Sequence, residues 1–505
     1  MILKLFSYYY TINMEFTNFS QKSVNITGET ETPSTQQEGF DVSDTYVHKT
    51  LFSVKNISVA FANSIRRSLS TLCPTITFNS ENIRVIENTS ALHNEFIIHR
   101  LELLPIFSDD ALTADCFKLK TVYDVKLSER KWEFVDPTKI PKFIINTSLS
   151  ETVLRDNATM NNIRDITTDS FIVSKPDGER LSSASFFKRD VHTKDPILIN
   201  CVKVDLAGKN INILHLEATP VPGLGKINTR NDPTGTVEYQ FKVLDQDKID
   251  DIWVKKLIYF KKDRELNELV PYTEKEIANL KSTFDLLDKY RLYETNDNGQ
   301  PNHFEFKVES IGFMSSNRII YDSIKHLELC IDDLINSFEF KKNESDNFYT
   351  FNKKFSERIE VRKFKHTNIN EGCSITIKDE NHTLGNIIQD KLRSKYLIDI
   401  NNLADTSKYL KLANYRMNHP TIEEIEIMLS PKETMPSTII NELLNIYIKT
   451  MDPSGEIKLD NKNRMIYFSI YLLIEALKSI KIDISKFLEL FSQHSGITES
   501  SYLII

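Results

Sequence analysis

One short pattern occurs twice in this 505-residue chain, 323 positions apart. Val54-Lys55-Asn56 leads to Phe61-Ala62-Asn63-Ser64-Ile65, with Leu69 beyond; Ile377-Lys378-Asp379 leads at the same spacing to Leu384-Gly385-Asn386-Ile387-Ile388, with Leu392 beyond. Each copy reads as a strand, a polar turn and a helix. Phe61, Ile65, Leu69 and Leu72 recur at helical spacing, as do Leu384, Ile388 and Leu392 with Ile387 alongside. Two copies of one unit predict two half-domains packed about a pseudo-two-fold axis, like a homodimer joined into one chain. A third stripe, Ile320, Ile324, Leu327, Ile331 and Leu334, predicts a helix over 316–338 that crosses the axis. The expected interface is therefore Phe61, Ile65, Leu69, Leu384, Ile388, Leu392, Ile324, Leu327 and Ile331. The expected fold class is α+β.

The rest of the chain divides around these units. Residues 1–45 are polar after a short apolar start and read as a disordered arm. Residues 46–77 form the first part of half-domain 1, ending at the Cys73-Pro74 break. Alternation at Asp115–Lys120 and Asn212–Glu217 predicts a mostly β insert over 78–235. Half-domain 1 resumes over 236–340, with a charged helical insertion at 245–301 carrying Ile277, Leu280, Phe284 and Leu287 at helical spacing. Residues 341–372 read as a charged connector, 373–450 as half-domain 2 with a helix at 437–449, and 451–505 as a C-terminal helical extension. The apolar run Met465–Leu477 is too short to span a bilayer and reads as a buried helix.

Composition removes several functions. A net charge of −8 argues against a dedicated nucleic-acid binder. The five cysteines, Cys73, Cys116, Cys201, Cys330 and Cys373, never stand at C-x-x-C spacing, so no zinc ribbon or disulfide framework is signalled. Gly223-Leu224-Gly225-Lys226 lacks the first glycine of a phosphate loop, and Ile227 stands where Ser or Thr must bind magnesium. His93-x-Glu95 has no Pro-Cys-x-x-Cys after it. Thr383 is placed to cap the second repeat helix, and Gly385 to admit a close backbone neighbour. Arg66 and Arg67 point about 100° apart on a helix, so at least one faces away from the core. The second repeat carries Gln389-Asp390 there, so the fold itself does not demand a cation.

After the first repeat come Arg66-Arg67, Pro74-Thr75, Glu87-Asn88-Thr89-Ser90 and His99-Arg100-Leu101-Glu102-Leu103-Leu104-Pro105. This series resembles the signature of the RNA polymerase assembly subunit, alpha in bacteria and the third-largest subunit of eukaryotic RNA polymerase II. Phe304–Gly312 resembles the closing segment of that subunit. His382-Thr383-Leu384-Gly385-Asn386, with His419-Pro420 further on, resembles its small partner, the eleventh subunit. The resemblance covers roughly residues 45–245 and 300–450. Both partners in one chain resemble the fused subunit of large cytoplasmic DNA viruses.

The resemblance implies two alpha-subunit-like half-domains in an intrachain pseudo-dimer, with no catalytic residue and no cofactor. It implies docking of two large catalytic subunits, alongside other small subunits, through Arg66, Arg67, Glu87, Asn88, Thr89, Ser90, His99 and Arg100. The implied location is host cytoplasm or virion, without a membrane or tight nucleic-acid contact. Two competing readings are a virion structural protein retaining this fold and a metal-dependent hydrolase centred on His93, Glu95 and His99.

Overall fold

The computed structural model describes residues 14–24, 30–31, 46–109, 115–124, 129–147, 163–189, 193, 195–203, 212–267, 269–338, 340–342, 349–351, 358–366, 369–398, 408–432, 444 and 464–497. The expected helix at 437–449 lies outside these residues except for Leu444. The helices are α1 (Val59–Thr71), α2 (Asn94–Glu102), α3 (Gln246–Leu266), α4 (Glu274–Leu287), α5 (Ser316–Ser337), α6 (His382–Tyr396) and α7 (Arg464–Ser495).

Each repeat opens the same way. Asn56 and Asp379, at equivalent positions, both adopt positive φ, 62° and 60°. Asn and Asp tolerate this left-handed turn better than most residues. Ser58 then caps α1 by accepting from the Phe61 amide, and Asn381 caps α6 by accepting from the Thr383 amide. Ser58 and Asn381 are again equivalent, so Asn381 performs the capping expected of Thr383.

Two antiparallel sheets carry these units. The first runs Thr234–Phe241, His303–Ser310, Tyr46–Lys55, Glu15–Val24, with Thr30–Glu31 at its margin. The second runs Leu410–Arg416, Glu424–Pro431, Ile369–Lys378, Ile359–His366. Along the chain both follow one order: edge strand, inner strand, helix, far-edge strand, second inner strand, long helix. The long helices are α5 and α7.

Four expected boundaries move, the last of them at the start of the insert. Residues 15–24 form a strand paired with Tyr46–Lys55 rather than a disordered arm. A register shift lies between Thr17 and Ser20, where Asn18 has φ 53°. That break in the two-residue period lets Phe16 and Phe19, three positions apart, both pack against the core. Ile359–His366, expected in the connector, is an edge strand whose alternating charged residues disguised it. Arg464–Ser495 is no appended extension, because Phe468, Leu472, Leu473, Leu477, Ile480, Ile484, Phe487 and Phe491 are buried in the main core. Lys391 pairs with Asp483 across α6 and α7, and Lys481 pairs with Asp332 across α5 and α7. Among the described residues no helix is long and apolar enough to cross a membrane.

The insert starts earlier than expected. Pro74–Asn88 is already a strand of a third sheet, ordered Arg180–Leu181, Ile172–Ser174, Lys142–Asn146, Leu214–Leu224, Pro74–Asn88. Asp115–Lys120 is only partly a strand, which runs Leu119–Asp124. Cys116, Phe117 and Leu119 are all buried there, so burial does not follow the two-residue alternation. Helices α3 and α4 form a satellite around Ile249, Trp253 and Phe284, while Leu287, expected on the apolar stripe, is exposed.

Candidate assembly surfaces

Helices α1 and α6 pack directly on each other. Phe61, Ile65, Leu69, Leu384, Ile388, Leu392, Ile324, Leu327 and Ile331 are all buried and belong to one continuous core. The polar contacts at this crossing are one-sided. The Ser64 hydroxyl donates to the Thr383 carbonyl at 2.9 Å, and Arg67 Nε donates to Thr383 Oγ1 at 2.8 Å. Arg67 thus reaches the second repeat, whereas the sequence suggested a side chain facing away from the fold. Arg66 Nε donates to Asn63 Oδ1 on its own helix. Both arginines are half-buried. Gly385 meets a side chain, not a backbone: a Cβ there would lie 2.6 Å from the Tyr415 ring.

The loop Gly223–Ile227 fastens the insert to this crossing. A Cβ on Gly225 would stand 2.0 Å from the Ser70 carbonyl oxygen, so only glycine lets the loop lie against the end of α1. The Lys226 amide donates to the Thr71 carbonyl at 2.9 Å. Its side chain then spans to the second unit, with Nζ 2.8 Å from Asp379 and 2.7 Å from Glu423. Burial opposes the lysine charge, but Asp379 and Glu423 outweigh it and raise the pKa above lysine's ordinary value. A clasp therefore occupies the segment that superficially matched a phosphate loop.

Glu87, Asn88, Thr89 and Ser90 lie at or just past the far end of the 15-residue strand Pro74–Asn88, while His99 and Arg100 stand on α2, which turns back along that strand until Glu102 reaches the Ser80 amide. At about 3.3 Å per residue the strand end that carries Glu87 and Asn88 lies roughly 45 Å along the strand from the end of α1. Asn88 organises a tight loop: its Nδ2 donates to the Leu92 carbonyl and Asn94 Oδ1, and its Oδ1 accepts from the Ser90 amide and hydroxyl. Asn200 donates to Ser90 Oγ, and Thr89 exchanges hydrogen bonds with the Ile213 backbone. Asn88 and Ser90 shape the loop from within, while Glu87, His99 and Arg100 face solvent. Helix α2 is held by Glu102, which accepts from the Ser80 amide and pairs with Arg230 at 2.7 Å. Beside it Phe96 is 65% exposed, Leu103 53% and Ile86 45%.

His93 caps α2 by accepting from the Glu95 amide. Among the described residues no group of three His, Cys, Asp or Glu side chains is placed to hold a metal ion. All five cysteines are free thiols.

Residues 51–330, more than half of the sequence, match the family described as RNA polymerase Rpb3/Rpb11 dimerisation domain. The chain belongs to that family. The family match takes in α1, the insert and most of α5, and ends before the second unit. DNA-directed RNA polymerase subunit Rpo3 of Methanopyrus kandleri is 34% identical over 85 residues, 17% of this chain and 29% of that protein. Rpo3 of Thermococcus kodakarensis is 40% identical over 70 residues, 13% of this chain and 26% of its own length. The chain thus spans under a third of these relatives. DNA-directed RNA polymerases II, IV and V subunit 3 of Arabidopsis thaliana is 25% identical over 298 residues, 56% of this chain and 85% of that subunit.

Sequence reasoning missed Ser64 and Thr383 as a contact and the whole Lys226 clasp. Glu423 carries no motif, and Asp379 was legible only as the polar turn of the second repeat; Lys226 gives both their pairing role.

Proposed function

We propose that this chain is a non-catalytic subunit of DNA-directed RNA polymerase that joins both halves of the assembly platform in one polypeptide. The observation that carries this reading is the packing of α1 on α6 in one core, from two units of identical element order. Family membership of the first unit supports its polymerase assignment. In this reading the units form an intrachain pseudo-dimer, and its faces dock the two large catalytic subunits, which supply the chemistry.

Two docking areas follow. One is the α1 face with Arg66 and the Arg67 Nη groups. The other is the loop and helix bearing Glu87, Thr89, His99 and Arg100, with Asn88 and Ser90 holding its shape. The exposed Phe96, Leu103 and Ile86 give that second area an apolar centre within a polar rim, the pattern of a protein interface. A large cytoplasmic DNA virus as source, with action in host cytoplasm or virion, is part of the proposal. The fusion of two polymerase-like units and a composition with only 13 glycines support it.

Affinity purification of the tagged chain from its source cells tests the assignment. Two very large polypeptides should co-purify in equal amounts. With Glu87→Lys and Arg100→Glu together, their recovery should fall at least tenfold, because reversed charges at an interface rim oppose docking. Recovery of neither polypeptide with the unaltered chain would refute the assignment.

A further inference from the structure

We infer that the Lys226–Asp379–Glu423 clasp is the element that makes pairing between the two units obligatorily heterotypic, so that the first unit rejects a second copy of itself. This rests on the pseudo-dimer reading above and adds what decides which unit pairs with which.

Two units that share a topology pose a problem of self-recognition. Both present a helix with apolar residues at matching positions, and apolar burial alone discriminates poorly between similar faces. A chain bearing both units could pair first with first and second with second across copies, forming chains of molecules. Something polar and asymmetric must exclude that.

The clasp has this asymmetry. Asp379 corresponds to Asn56 at the 323-residue offset. Glu423 has a counterpart fixed by strand register: Lys55 stands opposite His303, and Lys378 stands opposite Glu424. Lys55 and Lys378 are equivalent, so Glu423 corresponds to Asn302. The corner that holds Lys226 in the second unit is dianionic. In the first unit it is built from two neutral amides, with Asn302 Nδ2 donating to Asn56 Oδ1 at 3.4 Å. The backbones of the two corners are nevertheless alike: Asn56 and Asp379 both adopt positive φ, and each corner is closed by a backbone hydrogen bond, from Asp379 N to the Glu423 carbonyl and, one residue further along, from Ile57 N to the Asn302 carbonyl. The frame is common to both corners and the charge is not.

Lys226 itself belongs to the side of the first unit. Gly225 and the Lys226 amide seat it on the end of α1, so its ammonium projects across the seam from a fixed base. In a first-with-first pair it would meet Asn56 and Asn302 and lose both carboxylates. The helix crossing discriminates in the same direction. The counterpart of Thr383, which accepts from Arg67, is Ala60, which has no hydroxyl. A first-with-first pair would therefore turn two arginines toward Ala60, which offers no hydroxyl, and set two lysines against neutral amide oxygens in place of carboxylates.

The test uses the full chain with a protease site placed within 343–348, cleaved after purification, and light-scattering mass as the readout. The unaltered nicked protein should remain one particle containing one of each fragment. Lys226→Glu should weaken that particle by at least about tenfold in dissociation constant, since like charges then face each other across the seam. It should also release the larger fragment as a free species or as its own dimer. Adding Asp379→Lys and Glu423→Lys to Lys226→Glu should restore the mixed particle. If Lys226→Glu holds its partner as tightly as the unaltered chain, or if the reversed pair fails to restore it, charge does not select the pairing and the inference is overturned. If the unaltered nicked fragments separate, the pseudo-dimer reading fails instead.

Discussion

Arg67 illustrates how far one residue's role depends on its neighbour in space. The sequence places it on a helix with an uncharged core face and an Asp390 counterpart, which predicts a side chain irrelevant to stability. Its bond to Thr383 Oγ1 changes that expectation. Hydrogen bonds to charged groups contribute about 1.5–3 kcal/mol, and half-burial brings this one to the low end. Arg67→Ala should therefore lower stability by about 1.5 kcal/mol, a shift of only about 1–2 °C for a chain that unfolds as one unit, because about 2.1 cal/mol/K of unfolding entropy per residue sums over its whole length. Thr383→Val should cost a similar amount, and the double variant should cost little more than either alone. A fully additive double variant in urea melts would mean the contact carries no energy. Gly225 shows the opposite case. Its sequence context suggested, and then failed, a nucleotide motif, while its actual reason is a carbonyl that no other residue could approach.

At the scale of elements, legibility followed periodicity. Helices α1, α5 and α6 announced themselves by apolar residues at three- and four-residue spacing, and they start where the spacing begins. The strands Glu15–Val24 and Ile359–His366 did not. One is interrupted by a bulge at Asn18, and the other carries Glu360, Arg362 and Lys363 among its apolar residues. Edge strands are charged or irregular because an open edge invites aggregation, which makes them resemble linkers in sequence. Helix α7 was legible as a buried helix but not as the counterpart of α5, since nothing in its own pattern says what it packs against. The edge strand Glu15–Val24 has a measurable role. Phe16 stacks on Phe52 and lies 5.1 Å from Phe487 of α7, joining the first sheet to the last helix. Phe16→Ala should cost about 2–4 kcal/mol, somewhat under the range for a fully buried phenylalanine. Amide exchange should show α7 destabilised together with residues 46–55. A loss below about 0.5 kcal/mol would return this strand to the status of a loosely attached arm.

On the scale of the whole molecule, holding both units in one chain changes what their packing depends on. Two separate subunits fold and pair according to their concentration, whereas tethered units meet at an effective concentration near the millimolar range. The core described here is continuous through the first unit, the insert and the second unit, so neither unit has a closed core of its own. Unfolding of the intact chain should therefore be cooperative, with a midpoint independent of protein concentration. Cutting within 343–348 removes the tether and leaves the core. At about 1 μM the cut protein should lose about 4 kcal/mol relative to the intact chain, the difference between millimolar and micromolar standard conditions. Its melting temperature should then rise with concentration, as mass action requires of any folded state built from two chains. Scanning calorimetry of both forms over a hundredfold range of concentration separates the cases. Were the intact chain's midpoint to rise with concentration as well, the units would be pairing between molecules, and the proposed intrachain pseudo-dimer would give way to an intermolecular one.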